Sequence, residues 1–568
     1  MWAGCFAALV SMCLGQSMTG KAAESFTDSA DSGLEMPSEA AASSELEKLS
    51  ESAVSSELEK LPESAVSSET EDLSEVAVGS ETEALLEATA SSELEGPSET
   101  AASGKPEETS GAARILARYE AEDAAFAGNV HAGDGYATGF QEDGDACIFY
   151  VEAPEDGFYD LRFSSAGAGG YKENTVAVDG AYAGNLVTEG SEFAESQVNR
   201  VWMAAGAHEV SVTKFWGWID LDYLELLTSE PIPDSVYEVP ASLVNADASE
   251  EAKRLMSYLA DEYGEHFLSG QYCDTGMYGK EFQVIQKVTG KTPAVLGLDF
   301  IEYTPSRVEH GSAGHATEYA LDFWEKGGIV TFCWHWNAPS KYLTGEWYRG
   351  FYADSTDIDL AKICSGEDAE GYDLLMQDID AIAQQLTILR DAGVPVLFRP
   401  LHEASGGWFW WGASGPDAYI WLYRLLYDKL TEEYGLNNLI WLWNGQAKEW
   451  YPGDEYVDII GEDIYPGEKV YTSQVNKYLE AVQYTDATKM VVLSENGCVF
   501  DPDLAARDGA RWGLWCTWGG EFVARSTSIY AYSEQYTEAD ALKRFYDNEL
   551  VVTMDELPDL KSYPVRKD

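Results

Sequence analysis

The stretch Val394 to Gly412, VPVLFRPLHEASGGWFWWG, places a carboxylic acid where chemistry can happen. Val394, Val396, Leu397 and Phe398 form an apolar, β-rich run directly after a helical segment closed by Gly393. That is the pattern of a buried parallel strand entered from a helix. Arg399, Pro400, Leu401, His402 and Glu403 follow, where such a strand reaches solvent, and then two glycines and Trp408, Phe409, Trp410 and Trp411. Glutamate is seldom buried unless it is paired or used. Sugars offer apolar C–H faces to indoles and an acetal oxygen that needs a proton, so Glu403 beside a wall of tryptophans points to glycoside chemistry. A second run, KMVVLSENG, ends in Glu495 after Val491, Val492 and Leu493. Retaining glycoside hydrolysis needs such a pair, one carboxyl to protonate the leaving oxygen and one to attack the anomeric carbon, roughly 5–5.5 Å apart.

Positioning two acids from distant strands requires a scaffold that gathers strand ends. From about residue 246 onward, β-rich runs alternate with helical ones: HFLSGQY, PAVLGLDF, IVTFCWHW, VPVLFRPLHE, NLIWLWN, DIIGEDIYP, KMVVLSENG and RWGLWCTWGG, with amphipathic segments between them. Eight β/α units over 246–568 predict an α/β fold, a (β/α)8 barrel whose active site lies at the C-terminal strand ends. The sequence repeatedly puts polar or aromatic residues at those ends: His335, His402 with Glu403, Asn444, Asp463 with Tyr465, Glu495 and Trp518.

RPLHE followed by GGWFWWG resembles the acid/base strand of glycoside hydrolase family 26, the β-mannanase family. The resemblance implies endo-acting cleavage of internal β-1,4-mannosidic bonds of mannan, glucomannan or galactomannan by double displacement, without a catalytic cofactor. It implies Glu403 as acid/base and Glu495 as nucleophile, with Tyr465 bonded to the nucleophile. It places His335 and His402 around the sugar being cleaved and Trp408 and Trp518 as its aromatic floor and wall. Arg399 is expected as a donor to Glu495, and Asp463 is expected to orient Tyr465 or touch sugar. The motif departs from the family's usual HEMNGG-like run at Ala404 and Ser405. A related retaining β-glycanase, acting on mixed-linkage β-glucan or β-1,3-xylan, remains open, as does a non-catalytic polysaccharide-binding surface protein. The presence of both carboxylates disfavours the last.

Upstream, residues 114–228 change pattern to short alternating runs such as ACIFYVEA, GFYDLRFSS and EVSVTKFW, separated by Gly and Asp turns, which predicts a β-sandwich. Its ends, YEAEDA and GWIDLDYLEL, resemble carbohydrate-binding module family 35, jelly-roll sandwiches with a structural calcium. By that resemblance Glu120, Glu122 and Asp222 match calcium-ligand positions. Trp216 and Trp218 are expected to share one face of an extended segment, and Trp216 with Tyr171 is the expected sugar contact. The proline-rich 229–245 reads as a linker.

Residues 1–20 contain a short apolar core like that of a secretory leader but without its basic start. Residues 21–113 form an acidic segment whose stretch 43–102 is a five-fold twelve-residue repeat (SSELEKLSESAV, SSELEKLPESAV and three variants), too poor in apolar residues to build a core and expected to be a disordered spacer. The formal net charge of −63 argues against nucleic acid or an anionic membrane as partner. No apolar stretch is long enough to insert into a bilayer. The eight cysteines show no metal-ligand or disulfide-framework spacing, so Cys333, Cys498 and Cys516, inside apolar runs, are expected to be buried thiols. A secreted or cell-surface monomer acting on β-mannan is the resulting expectation.

Overall fold

A computed structural model describes residues 113–525 and 531–567. The leader and the acidic repeat expected for 1–20 and 21–113 lie outside the described residues, apart from residue 113.

Eight parallel strands close into a barrel. They are β1 (Gly270–Tyr272), β2 (Val295–Asp299), β3 (Ile329–Trp334), β4 (Val396–Pro400), β5 (Leu439–Trp443), β6 (Ile459–Ile464), β7 (Met490–Asn496) and β8 (Trp515–Thr517). β8 meets β1 through Gln271 opposite Thr517. Closure is tight there: a Cβ on Gly270 would stand 2.4 Å from the Trp515 carbonyl oxygen, which only glycine avoids. Every residue of β3, β4 and β5 is buried, as expected for strands with packed helices outside and a filled barrel inside. The helices follow their sequence signals. Ser249 accepts from the Ala252 N–H to cap Glu250–Glu262, Asp368 does the same for Ala369–Asp391, and Pro416 opens Pro416–Tyr427.

Two elements differ from the sequence pattern. The first expected strand, HFLSGQY, divides: Phe267–Leu268 pairs in parallel with Val551–Val552, and only Gly270–Tyr272 enters the barrel. The amphipathic segment PDAYIWLYRLLYDKLTEEYG is α-helical only to Tyr427 and continues as a π-helical turn, Asp428–Glu433.

Residues 115–228 form a sandwich of two antiparallel sheets, one of six strands and one of five. Its core is the inward half of each alternating strand, including Phe149, Leu161, Phe163, Val176, Val212 and Leu224. The segment 229–245 joins the sandwich to the barrel as a packed strap. Val239 and Ala241 are buried in the barrel core, and the Tyr237 hydroxyl donates to the Gly509 carbonyl at 2.8 Å. Direct polar contacts also join the two parts. Asn476, on the barrel helix Val475–Val482, accepts from the Asn199 N–H and donates to the Ala183 carbonyl at 3.1 Å; Arg200 donates to the Asp508 carbonyl at 2.9 Å. Cys333, Cys498 and Cys516 are buried and unpaired, as expected. Among the described residues, no helix is long and apolar enough to cross a membrane.

Candidate active site

The strand ends deliver their polar residues to one point. Arg399, on β4, is fully buried, and its guanidinium ion-pairs with Asp463 from β6 and with Glu495 from β7, the latter at 2.6 Å. It also donates to the Tyr272 hydroxyl at 3.1 Å. Glu495 accepts a second bond from the Tyr465 hydroxyl, and Asp463 accepts from Ser494 at 2.7 Å. Asp463 is thus engaged by Arg399 and Ser494.

Glu403 sits just past β4, in a backbone turn in which both Leu401 (φ 54°) and Glu403 (φ 52°) take left-handed conformations. Neither residue type favours that region, so the turn stores strain that its surroundings must hold. The holding contacts are visible. The Glu403 N–H donates to the Asn444 carbonyl at 2.8 Å, Trp411 donates its indole N–H to the His402 carbonyl at 2.8 Å, and Trp410 donates to the Trp336 carbonyl at 2.6 Å. Trp408 donates to the Glu403 carboxylate at 2.9 Å, its ring lying so close over Gly406 that a Cβ there would come within 1.5 Å.

One carboxylate oxygen from each of Glu403, Asp463 and Glu495 lies within 4.8 Å of the others. Burial first, then the charges of Asp463 and Glu495, pushes the Glu403 carboxyl well above the usual carboxylate range, against the lowering pull of Arg399 and Trp408. Arg399 then faces Asp463, whose carboxyl burial pushes up to about 7, and Glu495, which keeps two donors on its oxygens. The pair therefore sets a carboxyl that burial holds protonated beside one gripped by two donors.

His335 and His402 stand beside them. Asp299, at the end of β2, bonds the His335 Nδ1 at 2.6 Å, and the two Nε2 atoms of His335 and His402 are 3.2 Å apart. Burial, with Arg399 and His335 adding to it, holds His402 well below the ordinary imidazole range, so it is neutral and its Nδ1 is buried without a protein partner. Trp518 closes this side, its ring 4.8 Å from Tyr272 and 5.8 Å from His335. All the expected barrel residues, His335, Arg399, His402, Glu403, Trp408, Asp463, Tyr465, Glu495 and Trp518, converge here. Tyr272, Asp299 and Ser494 are additional members. Asp299 carries the same signal as Asp463, an acid ending an apolar strand, and is legible on that ground, whereas Tyr272 and Ser494 have no distinguishing pattern.

In the sandwich, Trp216 and Trp218 are 65% and 60% exposed and Tyr171 is 49% exposed. The two tryptophans do not share an extended segment: Gly217, at φ 97°, ends one strand at Trp216 before the next begins at Ile219. Glu120 pairs opposite Tyr223, the residue next to Asp222 in the six-stranded sheet. Asp222 accepts from Ser164 at 3.2 Å, and one Glu122 oxygen is buried without a partner. Among the described residues the only clusters of three acidic, His or Cys ligand atoms are Asp299–Cys333–His335 and Glu403–Asp463–Glu495, so the three sandwich carboxylates do not by themselves form a metal cage.

Two opposed carboxyls at the C-terminal mouth of a parallel barrel, walled by indoles, define a glycoside hydrolase. The chain belongs to glycosyl hydrolase family 26, whose sequence pattern matches residues 244–556; that of carbohydrate binding module family 35 matches residues 116–229. It is 40% identical over 451 residues to a mannan endo-1,4-β-mannosidase of Thermothelomyces thermophilus, covering 77% of this chain and 90% of that one. It is 33% identical to mannan endo-1,4-β-mannosidase B of a Piromyces species, over 75% and 73% of the two chains. The crystal structure of a Podospora anserina β-(1,4)-mannanase carrying both families' domains superposes with a TM-score of 0.56 at 36% identity, over 78% of this chain and 99% of that one.

Proposed function

We propose that this chain is a retaining endo-β-1,4-mannanase that cleaves mannan, glucomannan or galactomannan with Glu495 as nucleophile and Glu403 as acid/base. The observation that carries the mechanism is the approach of the two carboxyls to within 4.8 Å, one held protonated and the other doubly hydrogen-bonded. That spacing fits direct attack and leaves no room for the water that an inverting enzyme places between sugar and base. The substrate reading is supported by the named activity of the relatives.

In the first step a Glu495 oxygen attacks the anomeric carbon while Glu403 gives its proton to the departing glycosidic oxygen. The C–O bond breaks, and a glycosyl ester forms on Glu495. Losing that proton makes Glu403 the base for the second step. It takes a proton from water, whose oxygen displaces Glu495 and restores the original anomeric configuration. Arg399 and Tyr465 hold Glu495 in line, while His335, His402, Trp408 and Trp518 line the space for the reacting sugar. The test of substrate is incubation with mannan, galactomannan, mixed-linkage glucan and xylan, sizing the products. Mannans should fall first to a range of short oligosaccharides; cleavage of glucan or xylan alone would replace the mannanase reading with one of the related β-glycanases.

The Trp408 indole stabilises the ionised form of Glu403, so removing it should favour the protonated acid further. For Trp408→Phe the alkaline limb of kcat/KM, which reports loss of the Glu403 proton, should move to higher pH by about one unit. A limb that stays put or moves down would mean that another group is the acid.

The sandwich serves as a carbohydrate-binding module, with Trp216 and Tyr171 as exposed contacts. Its structural calcium is supported by the unmet Glu122 oxygen and by the pairing of Glu120 opposite Tyr223, next to Asp222, with further oxygens needed to complete the shell. Chelation should lower the melting temperature of the module transition, and added calcium should restore it; an unchanged transition removes calcium from the account. A polymeric substrate places the enzyme outside the cell, where it acts as a monomer; gel filtration at the mass of one chain is the expected result, and a larger species would overturn it.

A further inference from the structure

Asp299 takes no part in the double displacement, yet three bonds tie it to the site. It ends β2, opposite Cys333 of β3. One of its oxygens accepts from the Ile301 N–H at 2.9 Å and the His335 N–H at 3.1 Å; the other meets the His335 Nδ1 at 2.6 Å. Two backbone donors on one oxygen favour the ionised carboxyl, which can only accept. His335 must therefore carry a proton on Nδ1. Cys333 does not compete for that position: its Sγ stands 3.9 Å from the Nδ1 and has the Leu298 carbonyl as acceptor at 3.6 Å.

That placement decides the next one. The Nε2 atoms of His335 and His402 lie 3.2 Å apart, their rings crossing at 79°, so one proton lies between them. The neighbouring rings of Phe351 and Phe409 offer no other polar partner. If the proton belonged to His335, the neutral His402 would hold its own on Nδ1, which is buried with no acceptor. Buried N–H groups without an acceptor are rarer than unused lone pairs, so the proton belongs to His402.

We propose that Asp299 is a positioning residue: through this chain it fixes a lone pair on the His335 Nε2 beside an N–H on the His402 Nε2, and the two receive one hydroxyl of the reacting sugar. A hydroxyl both gives and takes a hydrogen, so it can bridge the two nitrogens by replacing their direct bond. The carboxylate behind His335 strengthens its Nε2 as an acceptor. As the sugar ring gains positive charge in the oxocarbenium-like transition state, its hydroxyl donates more strongly, and this bond tightens most there. The proton positions stand on the geometry alone; the sugar hydroxyl rests on the mannanase reading above.

The first measurement is nitrogen NMR of the full chain isotopically labelled in its histidine rings, with signals assigned by single substitutions. His335 should be protonated on Nδ1 alone and His402 on Nε2 alone. A second proton on His335, or one on the His402 Nδ1, would overturn the chain of bonds. The second measurement is kinetic. In Asp299→Asn the oxygen stays with the two backbone N–H groups, so the amide turns a donor toward the His335 Nδ1 and displaces its proton. On mannan, kcat should fall by about a hundredfold with KM changed less than about threefold, and the His335 proton should move to Nε2. A merely structural Asp299 would lower the melting temperature and leave kcat of the folded fraction unchanged. That result, or a rise in KM alone, would overturn the positioning role. Hydrolysis of mannan by the unmodified chain is scored separately, so failure of this role and failure of the mannanase reading give different results.

Discussion

Glu495→Ala should cut turnover of mannan by roughly four to six orders of magnitude, and Glu403→Ala by several orders as well, so loss of activity alone assigns neither residue. The assignment comes from a substrate with a good leaving group. An aryl β-mannobioside needs little protonic help, so Glu403→Ala should still form the glycosyl ester on Glu495 quickly, giving a burst followed by slow hydrolysis. Azide needs no general base. Added to Glu403→Ala, it should speed the second step and yield the β-glycosyl azide, because it displaces an ester that was itself formed with inversion. Glu495→Ala has no nucleophile and should show no burst. Azide entering the space left by its carboxylate attacks the substrate once, and the product should be the α-glycosyl azide. The position of Glu403 supports this separation: its carboxyl is bonded by the Trp408 indole, whereas Glu495 is gripped by Arg399 and Tyr465. An α-azide from Glu403→Ala would reverse the roles, and inverted product from the unmodified enzyme would overturn double displacement itself.

Much of this site was legible because barrel strands advertise themselves. An apolar run fully buried on both faces, ending in an acid, is costly unless the acid is used, and both Glu403 and Glu495 end such runs. The same logic reaches Arg399, since a guanidinium in a strand interior must find carboxylates. What stayed hidden depends on backbone geometry and on contacts between distant segments. Nothing in Leu401 or Glu403 announces a left-handed turn, because neither side chain favours it; the turn exists because Asn444 and three indole N–H groups hold it. Trp408 was readable as an aromatic wall, but its bond to the acid was not. The pairing of Trp216 with Trp218 failed for a local reason, a left-handed Gly217 where alternation was expected to continue. Phe267–Leu268 could not be separated from β1 by pattern, since its partner, Val551–Val552, lies at the far end of the chain. The meeting of Asn476 with the sandwich is likewise invisible without coordinates.

Arg399→Met should be nearly as damaging as loss of a catalytic carboxylate, though it removes no reacting atom. The guanidinium is the one cation among three carboxyl groups whose oxygens approach within 4.8 Å, and its side chain is fully buried. Methionine fills much of the space but leaves Asp463 and Glu495 facing each other without the charge between them. Stranding a buried charge in this way costs about 3–5 kcal/mol, so the melting temperature should fall by several degrees. The chemical effect should be separable from the structural one. Glu495 then keeps one donor instead of two, and loses the bond that aims its oxygens at the anomeric carbon. Activity near neutral pH should therefore fall by roughly a thousandfold. Adding Asp463→Asn to Arg399→Met removes the second buried acid, whose carboxyl burial pushes up to about 7. This pair should recover part of the stability but not the activity, because the Arg399 donor to Glu495 is still missing. Recovery of activity along with the melting temperature would show that Arg399 serves the fold alone, and that Tyr465 by itself keeps Glu495 ready to attack.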